Sequence, residues 1–184
     1  MATQKRNDGD IGAAIELLRT AYSRIASDSV SYPVSTFLRL PLYLQEAGRS
    51  DEAWKEFESL LIHGFPNQMT NYEVLPLEHS QIYDKMRLFL QRQKKFQRAV
   101  SFGILSYMSW AVGLYRQKRR SELKGYIKRE HIDVNLAPLL KKARRLGVKD
   151  ELVDVIAAEI NRLPEIDLES LKKRIDSILS RSSI

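Results

Sequence analysis

The chain has 184 residues, 43% of them hydrophobic, and a formal net charge of +7 at pH 7. This length and hydrophobic content suffice to bury a core as one domain. The sequence has no cysteine, which excludes disulfides, thiolate nucleophiles and cysteine-ligated metals. Its eight glycines and six prolines are few, and runs of strand-forming residues are scarce. We therefore predict an all-α fold.

The N-terminal segment predicts a turn followed by a helix. Gly9 and Asp10 precede apolar residues at helical spacing, from Ala14 to Ile25. The helix that would pair with this one is either missing or reduced to the first eight residues. The first ten residues are polar, so we expect no secretory signal. Together with the lack of cysteine, this favours a cytoplasmic protein.

Residues 37–66 predict an antiparallel helical hairpin. Gly48 is suited to the left-handed conformation that ends a helix, and Ser50 is expected to cap the next helix. Apolar residues recur at helical spacing on both sides of this turn. The stripe before it contains Phe37, Leu40, Leu44 and Ala47, and the stripe after it contains Ala53, Trp54, Phe57, Leu60 and Leu61. We expect Trp54 and Phe57 to anchor the core.

This hairpin resembles a tetratricopeptide repeat, whose pattern combines spaced large residues in one helix with A-x3-F in the next. Phe37, Leu40 and Leu44 match the first helix, and Ala53 and Phe57 match the second. Pro41 departs from the pattern, because it replaces a small residue and interrupts helical hydrogen bonding. The resemblance is weaker over residues 9–27, where Ala14 corresponds to Ala53, and over residues 83–103, where Ala99 does.

The next hairpin contains the most apolar stretch of the chain. A helix over residues 77–93 precedes KKFQRAV, which echoes GRSDEAW, and the following helix is predicted to run to about Arg119. Residues 99–115 contain no charge, which is near the lower limit for a membrane span. However, three serines and two glycines interrupt them: Ser101, Ser106, Ser109, Gly103 and Gly113. A buried central helix is favoured, and a membrane span is the alternative.

The C-terminal part predicts shorter helices. We expect a short helix over residues 121–129, a loop over residues 130–135, and a helical pair around Gly147. Asp167 is expected to cap a last helix with one apolar face. The resulting prediction is a single all-helical domain of residues 1–184, with a repeat-like part at 9–119 and a divergent basic part at 120–184. By resemblance, its architecture is a right-handed stack of antiparallel hairpins, a tetratricopeptide-like α-solenoid, closed by a C-terminal capping helix.

Positive charge is concentrated in residues 85–145, here called the basic block. The block holds 17 Lys and Arg against three acidic residues, and such one-sided charge attracts polyanions. The alternative is a solvated basic surface. The candidate polyanion-binding residues are Lys94, Lys95, Arg98, Arg116, Lys118, Arg119, Arg120, Lys141, Lys142, Arg144 and Arg145. Phe96, Tyr115 and Tyr126 lie nearby and have rings that could stack on bases.

The sequence leaves three hypotheses for function. By resemblance to tetratricopeptide repeats, the first is a non-enzymatic scaffold for a protein or peptide partner. Its groove would be lined by Leu38, Leu42, Gln45, Leu88, Gln91 and Arg92. The second is a protein that binds RNA or DNA through the basic block. The third is a small enzyme with carboxylates assembled from separate helices.

The histidines show no catalytic motif. His63, His79 and His131 are the only three, and none has a second histidine at helical ligand spacing. We therefore expect no catalytic residue, no metal and no cofactor, and no association with a membrane. The oligomeric state is left open.

Overall fold

The computed structural model describes residues 1–27, 30, 32–66, 71–145, 147–163 and 165–181. The side chains of residues 120, 125–127 and 142 are outside this description, so the predicted contacts of Arg120, Tyr126 and Lys142 lie outside it too. Every regular element in the described ranges is a helix, which confirms the all-α prediction.

The helices and their bounds are α1 (Ala2–Asn7), α2 (Ile11–Ile25), α3 (Val34–Phe37), α4 (Arg39–Glu46), α5 (Ser50–His63), α6 (Leu75–Arg92), α7 (Phe96–Arg116), α8 (Arg120–Ile127), α9 (Arg129–Asn135), α10 (Ala137–Arg145), α11 (Lys149–Ile160) and α12 (Leu168–Arg181). They form two compact units, residues 1–70 and 71–184. The sequence instead indicated a boundary near residue 120 within one domain. That the two units fold as one domain stays a prediction.

One left-handed turn recurs between consecutive helices. At Gly48 φ is 78°, its N–H donates to the Gln45 carbonyl, and the next N–H, from Arg49, donates to the Leu44 carbonyl. These are the two hydrogen bonds of a Schellman motif, which satisfy carbonyls at a helix end. Both bonds recur with positive φ at four other positions: Gly9 (85°), Lys94 (60°), Lys118 (57°) and Gly147 (74°).

Each of these turns is followed by the same buried position. The fifth residue after the left-handed one is buried in the second helix of each pair. The five residues at this position are Ala14, Ala53, Ala99, Leu123 and Leu152. The sequence correspondence of Ala14, Ala53 and Ala99 is therefore a structural one, and the structure extends it to two further turns.

The predicted central hairpin is confirmed as α4 and α5, with two corrections. Arg49, not Ser50, occupies the N-cap of α5, because Ser50 already begins the helix. Trp54 is half-buried, and its indole N–H donates to Glu58 Oε1 at 2.7 Å, so it is not a core anchor. Phe57 is fully buried as predicted. Pro41 lies in the first turn of α4, where its missing N–H breaks no intrahelical bond.

Unit 1 is built on aromatic packing and on ion pairs between helices. The Phe37 ring lies 5.4 Å from those of Tyr22 and Phe65. The Tyr22 hydroxyl donates to the Thr36 carbonyl, and burial raises its pKa. The short helix α1 is held by the 2.7 Å pair between Arg6 and Glu46. The first helix of the α1–α2 hairpin is thus short, as the sequence indicated.

Helix α7 is the central helix of unit 2, and its serines bond to neighbouring helices. Ser106 Oγ donates to the Ser80 carbonyl and Ser109 Oγ to the Pro76 carbonyl, both at 2.9 Å. Ser101 Oγ donates to Asp176 of α12. These bonds satisfy hydroxyls that would otherwise be buried at a cost. None of the described helices, α7 included, is both long and apolar enough to cross a membrane.

The two glycines of α7 are sites of close approach. Leu139 of α10 lies against Gly103, and Leu77 of α6 lies against Gly113, in the space where a Cβ would stand. Helix α12 packs along α7 on another side, because Gln97 Nε2 donates to the Leu179 carbonyl at 3.2 Å. The predicted last helix is confirmed, with Asp167 accepting from the backbone N–H groups of Glu169 and Ser170.

Two predictions for unit 2 are wrong. Residues 130–135 were expected to form a loop, but they belong to α9, in which Ile132 is fully buried. One buried residue in seven gives too short an apolar pattern to show a helical period. Helix α7 ends at Arg116 rather than near Arg119, because Lys118 takes the left-handed conformation.

Candidate functional site

A cavity of about 340 Å³ opens between α6, α7 and the start of α10. Four residues of α6 at helical spacing line one wall: Ser80, Asp84, Arg87 and Gln91. Helix α7 provides a second stripe of Gly103, Ser106, Tyr107 and Trp110. The third side is Asn135 and the first turn of α10, including Pro138 and Leu139. The volume is within the range of small-ligand and side-chain sites.

The α6 wall of the cavity is a connected polar ridge. Arg87 donates to Asp84 Oδ1 at 2.6 and 2.9 Å and to Gln91 Oε1 at 3.1 Å. These bonds orient the guanidinium and join the three side chains into one network. The opposite wall, with Trp110, Pro138 and Leu139, is mainly apolar. The cavity therefore combines hydrogen-bonding groups on one side with an apolar surface on the other.

The predicted groove residues differ in exposure. Leu38 is 2% exposed and offers no surface to a partner. Leu42, Gln45 and Leu88 are half-buried, and Arg92 is exposed. Only Gln91 among the six lines the α6–α7–α10 cavity. Asp84, Arg87 and Trp110 were not among the predicted site residues. The spacing of Ser80, Asp84, Arg87 and Gln91 on one helical face was a usable signal for the first two.

Unit 1 contains a cavity of its own. Its volume is about 530 Å³, and Tyr22, Phe37 and Phe65 line it together with Arg19 and Glu56. The predicted groove residues Leu38, Leu42 and Gln45 do not line it. This cavity therefore combines aromatic rings of the unit 1 core with the charged side chains of Arg19 and Glu56.

The described cations of the basic block do not form one surface. Lys94, Lys95 and Arg98 lie at the N-terminal end of α7, whereas Arg116, Lys118 and Arg119 lie at its C-terminal end. Because α7 has 21 residues, its ends are about 30 Å apart at 1.5 Å per residue. The two groups cannot contact the same short ligand segment.

Cations at the C-terminal end of α7 have partners inside the protein. Arg116 donates to the Tyr72 carbonyl at 2.9 Å. Arg119 forms a bidentate ion pair with the Glu122 carboxylate, with N···O distances of 2.9 and 2.5 Å. At this end the charge of Arg119 is therefore compensated by Glu122, whereas Arg116 keeps its charge.

The histidines do not form a site. His79 Nε2 is buried with no hydrogen-bond partner in the described part of the chain, and burial lowers the pKa of His79. His63 is exposed at the end of α5, and His131 Nδ1 lies 3.2 Å from the Lys124 carbonyl. Among the described residues, no three potential metal-ligating side chains come together.

No family model, curated protein or solved structure matches this chain.

Proposed function

We propose that this chain is a non-enzymatic interaction protein that binds a peptide segment of a partner protein on tetratricopeptide-like helical hairpins. The observation that carries the proposal is the Schellman turn that recurs five times with an equivalent buried position after it. Repetition of one hairpin unit is typical of proteins that bind through extended helical surfaces. The proposal includes a right-handed stack of these hairpins and a cytoplasmic setting, which the absence of cysteine supports.

The α6–α7–α10 cavity is the proposed peptide site. In tetratricopeptide-like units the first helix of each hairpin lines the groove, and α6 is the first helix of its pair. Its ridge of Asp84, Arg87 and Gln91 offers donors and acceptors to a peptide backbone. The apolar wall at Trp110 and Leu139 is suited to one apolar side chain of the peptide.

A cavity-filling variant tests this site. A random peptide library is selected on the wild-type protein, and the affinity of a selected peptide is then measured on variants. Gln91→Trp fills the cavity and should weaken binding by more than about tenfold, or about 1.4 kcal/mol. Gln81→Trp is the matched control, because Gln81 is exposed on the same helix and does not line the cavity. Equal affinities for the two variants would contradict the proposed site.

A further inference from the structure

Basic residues from three helix ends converge at the N-terminal end of α7. Lys94 and Lys95 form the turn from α6 to α7, and Arg98 is in the first turn of α7. Lys141, Arg144 and Arg145 are on the last turns of α10. We call these six exposed residues the basic end surface. They belong to the sequence's basic block but to only one end of unit 2.

The order of contacts along α10 places its C-terminal end there. Leu136, just before the start of α10, lines the same cavity as Tyr107, and Leu139 lies against Gly103, one turn nearer the start of α7. Helix α10 therefore runs toward the N-terminal end of α7. Leu140 and Ala143 of α10 belong to the core cluster that also contains Val100 and Ile104 of α7.

Helices α11 and α12 place α10 at the same end independently. The Gly147 turn joins the end of α10 to the start of α11, where Glu151 pairs with Arg181 of α12 at 2.7 Å. Two residues before Arg181, the Leu179 carbonyl accepts from Gln97 in the first turn of α7. These hydrogen bonds and ion pairs bring the ends of α10 and α12 and the starts of α7 and α11 together.

Five of the six cations of this surface are not neutralised by nearby carboxylates. In the described part of the chain, Lys94, Lys95, Lys141, Arg144 and Arg145 form no ion pair. Two neighbouring acids have other partners: Glu151 pairs with Arg181, and Asp133 pairs with Lys149 at 2.7 Å. A third acid, Asp150 in the first turn of α11, acts electrostatically on Arg129. The pKa of Arg129 is raised by its hydrogen bond to Asp154 and also by the charge of Asp150.

An aromatic ring lies within this basic surface. Phe96 directly follows Lys95 and is 42% exposed, although it is a large hydrophobic residue. Proteins that bind single-stranded nucleic acid combine backbone-tracking cations with an aromatic ring on which a base stacks. A duplex would use only the cations, because its bases are already stacked on one another. We infer that the basic end surface binds single-stranded nucleic acid, with phosphates on its lysines and arginines and one base on Phe96.

This site is separate from the proposed peptide cavity and does not depend on it. Its test uses fluorescence anisotropy with labelled oligothymidylate as the probe, over a series of salt concentrations. Replacing Lys94, Lys95, Arg144 and Arg145 with Gln should weaken binding by more than about tenfold. It should also reduce the salt slope by about 0.7 for each phosphate that the variant no longer neutralises.

The matched control removes four charges elsewhere in unit 2. Lys118, Arg119, Lys172 and Lys173 are replaced with Gln, which gives the same net charge as the test variant. Arg119, Lys172 and Lys173 already pair with carboxylates, so this variant should keep most of the binding. Equal weakening of binding in the two variants would overturn the assigned surface. The double variant Arg144→Gln/Arg145→Gln leaves the Lys94 turn unchanged and provides the same test if the quadruple variant unfolds.

The aromatic ring has a separate readout. Phe96→Leu should weaken oligothymidylate binding by roughly tenfold, Phe96→Trp should preserve it, and neither should change binding of a duplex. Three further results would overturn the inference: no salt-sensitive binding by the parent protein, no effect of Phe96→Leu, or equal competition by polyglutamate of matched charge. The last result would instead indicate an acidic peptide as the partner of this surface.

Discussion

The α4–α5 and α6–α7 hairpins share one backbone turn but bury their equivalent positions differently. In α5, four residues after the buried Ala53, Phe57 fills the space with its own ring. In α7, four residues after the buried Ala99, Gly103 leaves that space open, and Leu139 of α10 occupies it. The residue at this one position thus decides whether the hairpin is filled locally or receives another helix.

The turns themselves show a second difference. Gly48 adopts positive φ at no steric cost, whereas Lys94 adopts it with a Cβ that crowds the backbone. The α6–α7 hairpin keeps this turn because its other contacts outweigh the local strain. It also places two lysines at the end of α7, where they are exposed. The α6–α7 turn is therefore less stable locally than the Gly48 turn, but it carries more positive surface charge.

The largest expected effect is the removal of the Phe57 ring. Phe57→Ala should lower the free energy of unfolding by about 3–5 kcal/mol, because a fully buried aromatic leaves a cavity. Denaturant unfolding measures this change. Ile62→Ala is the control on the same helix, since Ile62 is 75% exposed and should change stability by less than about 0.5 kcal/mol. A decrease below about 1 kcal/mol for Phe57→Ala would mean that the ring does not hold the hairpin together.

Placing phenylalanine at the equivalent position of α7 should have the next largest effect. Gly103→Phe overfills the space that Leu139 occupies and should cost about 1–3 kcal/mol. Leu139→Ala in the Gly103→Phe background should recover part of this stability, with a coupling energy of about 0.5–3 kcal/mol in a double-mutant cycle. Additive effects would show that Leu139 does not occupy the Gly103 position in solution.

Exchanging the turn residues should shift stability in opposite directions. Lys94→Gly should stabilise the chain by about 1 kcal/mol, and Gly48→Ala should destabilise it by about 1 kcal/mol, because only the glycine accommodates positive φ without strain. Thermal unfolding measures both. Gly12→Ala provides the control, because Gly12 lies inside α2 and an added Cβ would meet no close neighbour there. This substitution should not destabilise the protein. Changes of the same sign at Lys94 and Gly48 would contradict the shared turn.

The smallest expected effect concerns pH. Burial lowers the pKa of His79 below its ordinary value of 6.5, so the unfolded chain gains a proton there before the folded protein does. The contribution of His79 to the free energy of unfolding is therefore fully present above pH 6.5. It is lost as the pH falls from 6.5 through the pKa of His79 in the folded protein. Glu78, whose pKa burial raises above 4.5, gives the opposite trend between its folded pKa and 4.5.

Urea unfolding at a series of pH values measures the His79 contribution. His79→Gln should flatten the fall in stability below pH 6.5. His63→Gln should leave that fall in place, because His63 is exposed in the α4–α5 hairpin. An unchanged pH profile in the His79 variant would show that this imidazole is solvated in the folded protein.

Much of the local structure could be predicted from the sequence. The Gly9, Gly48 and Gly147 turns were found because glycine marks the left-handed position, and α5 and α12 because their apolar residues follow a helical period. The Lys118 turn and α9 were missed. A lysine carries no turn signal, and a seven-residue helix with one buried residue shows no period.

The candidate sites were less predictable. The sequence identified Gln91 and the cations near Lys94, but it could not show that Arg87 and Trp110 line the same cavity. Nor could it show that the basic block divides between the two ends of α7. These relations depend on which helices pack together, and residues far apart in sequence decide that.

The sequence by itself determined the all-α class, the central hairpin and the buried serine- and glycine-containing helix α7. These follow from hydrogen bonds and apolar spacing within a few turns of one segment. Only the tertiary structure decided that Leu139 fills the space at Gly103 and that α10 brings Arg144 and Arg145 to the Lys94 turn. The physical reason is that a helix docks where its side chains fit a surface built by other segments, and neither composition nor periodicity records that fit.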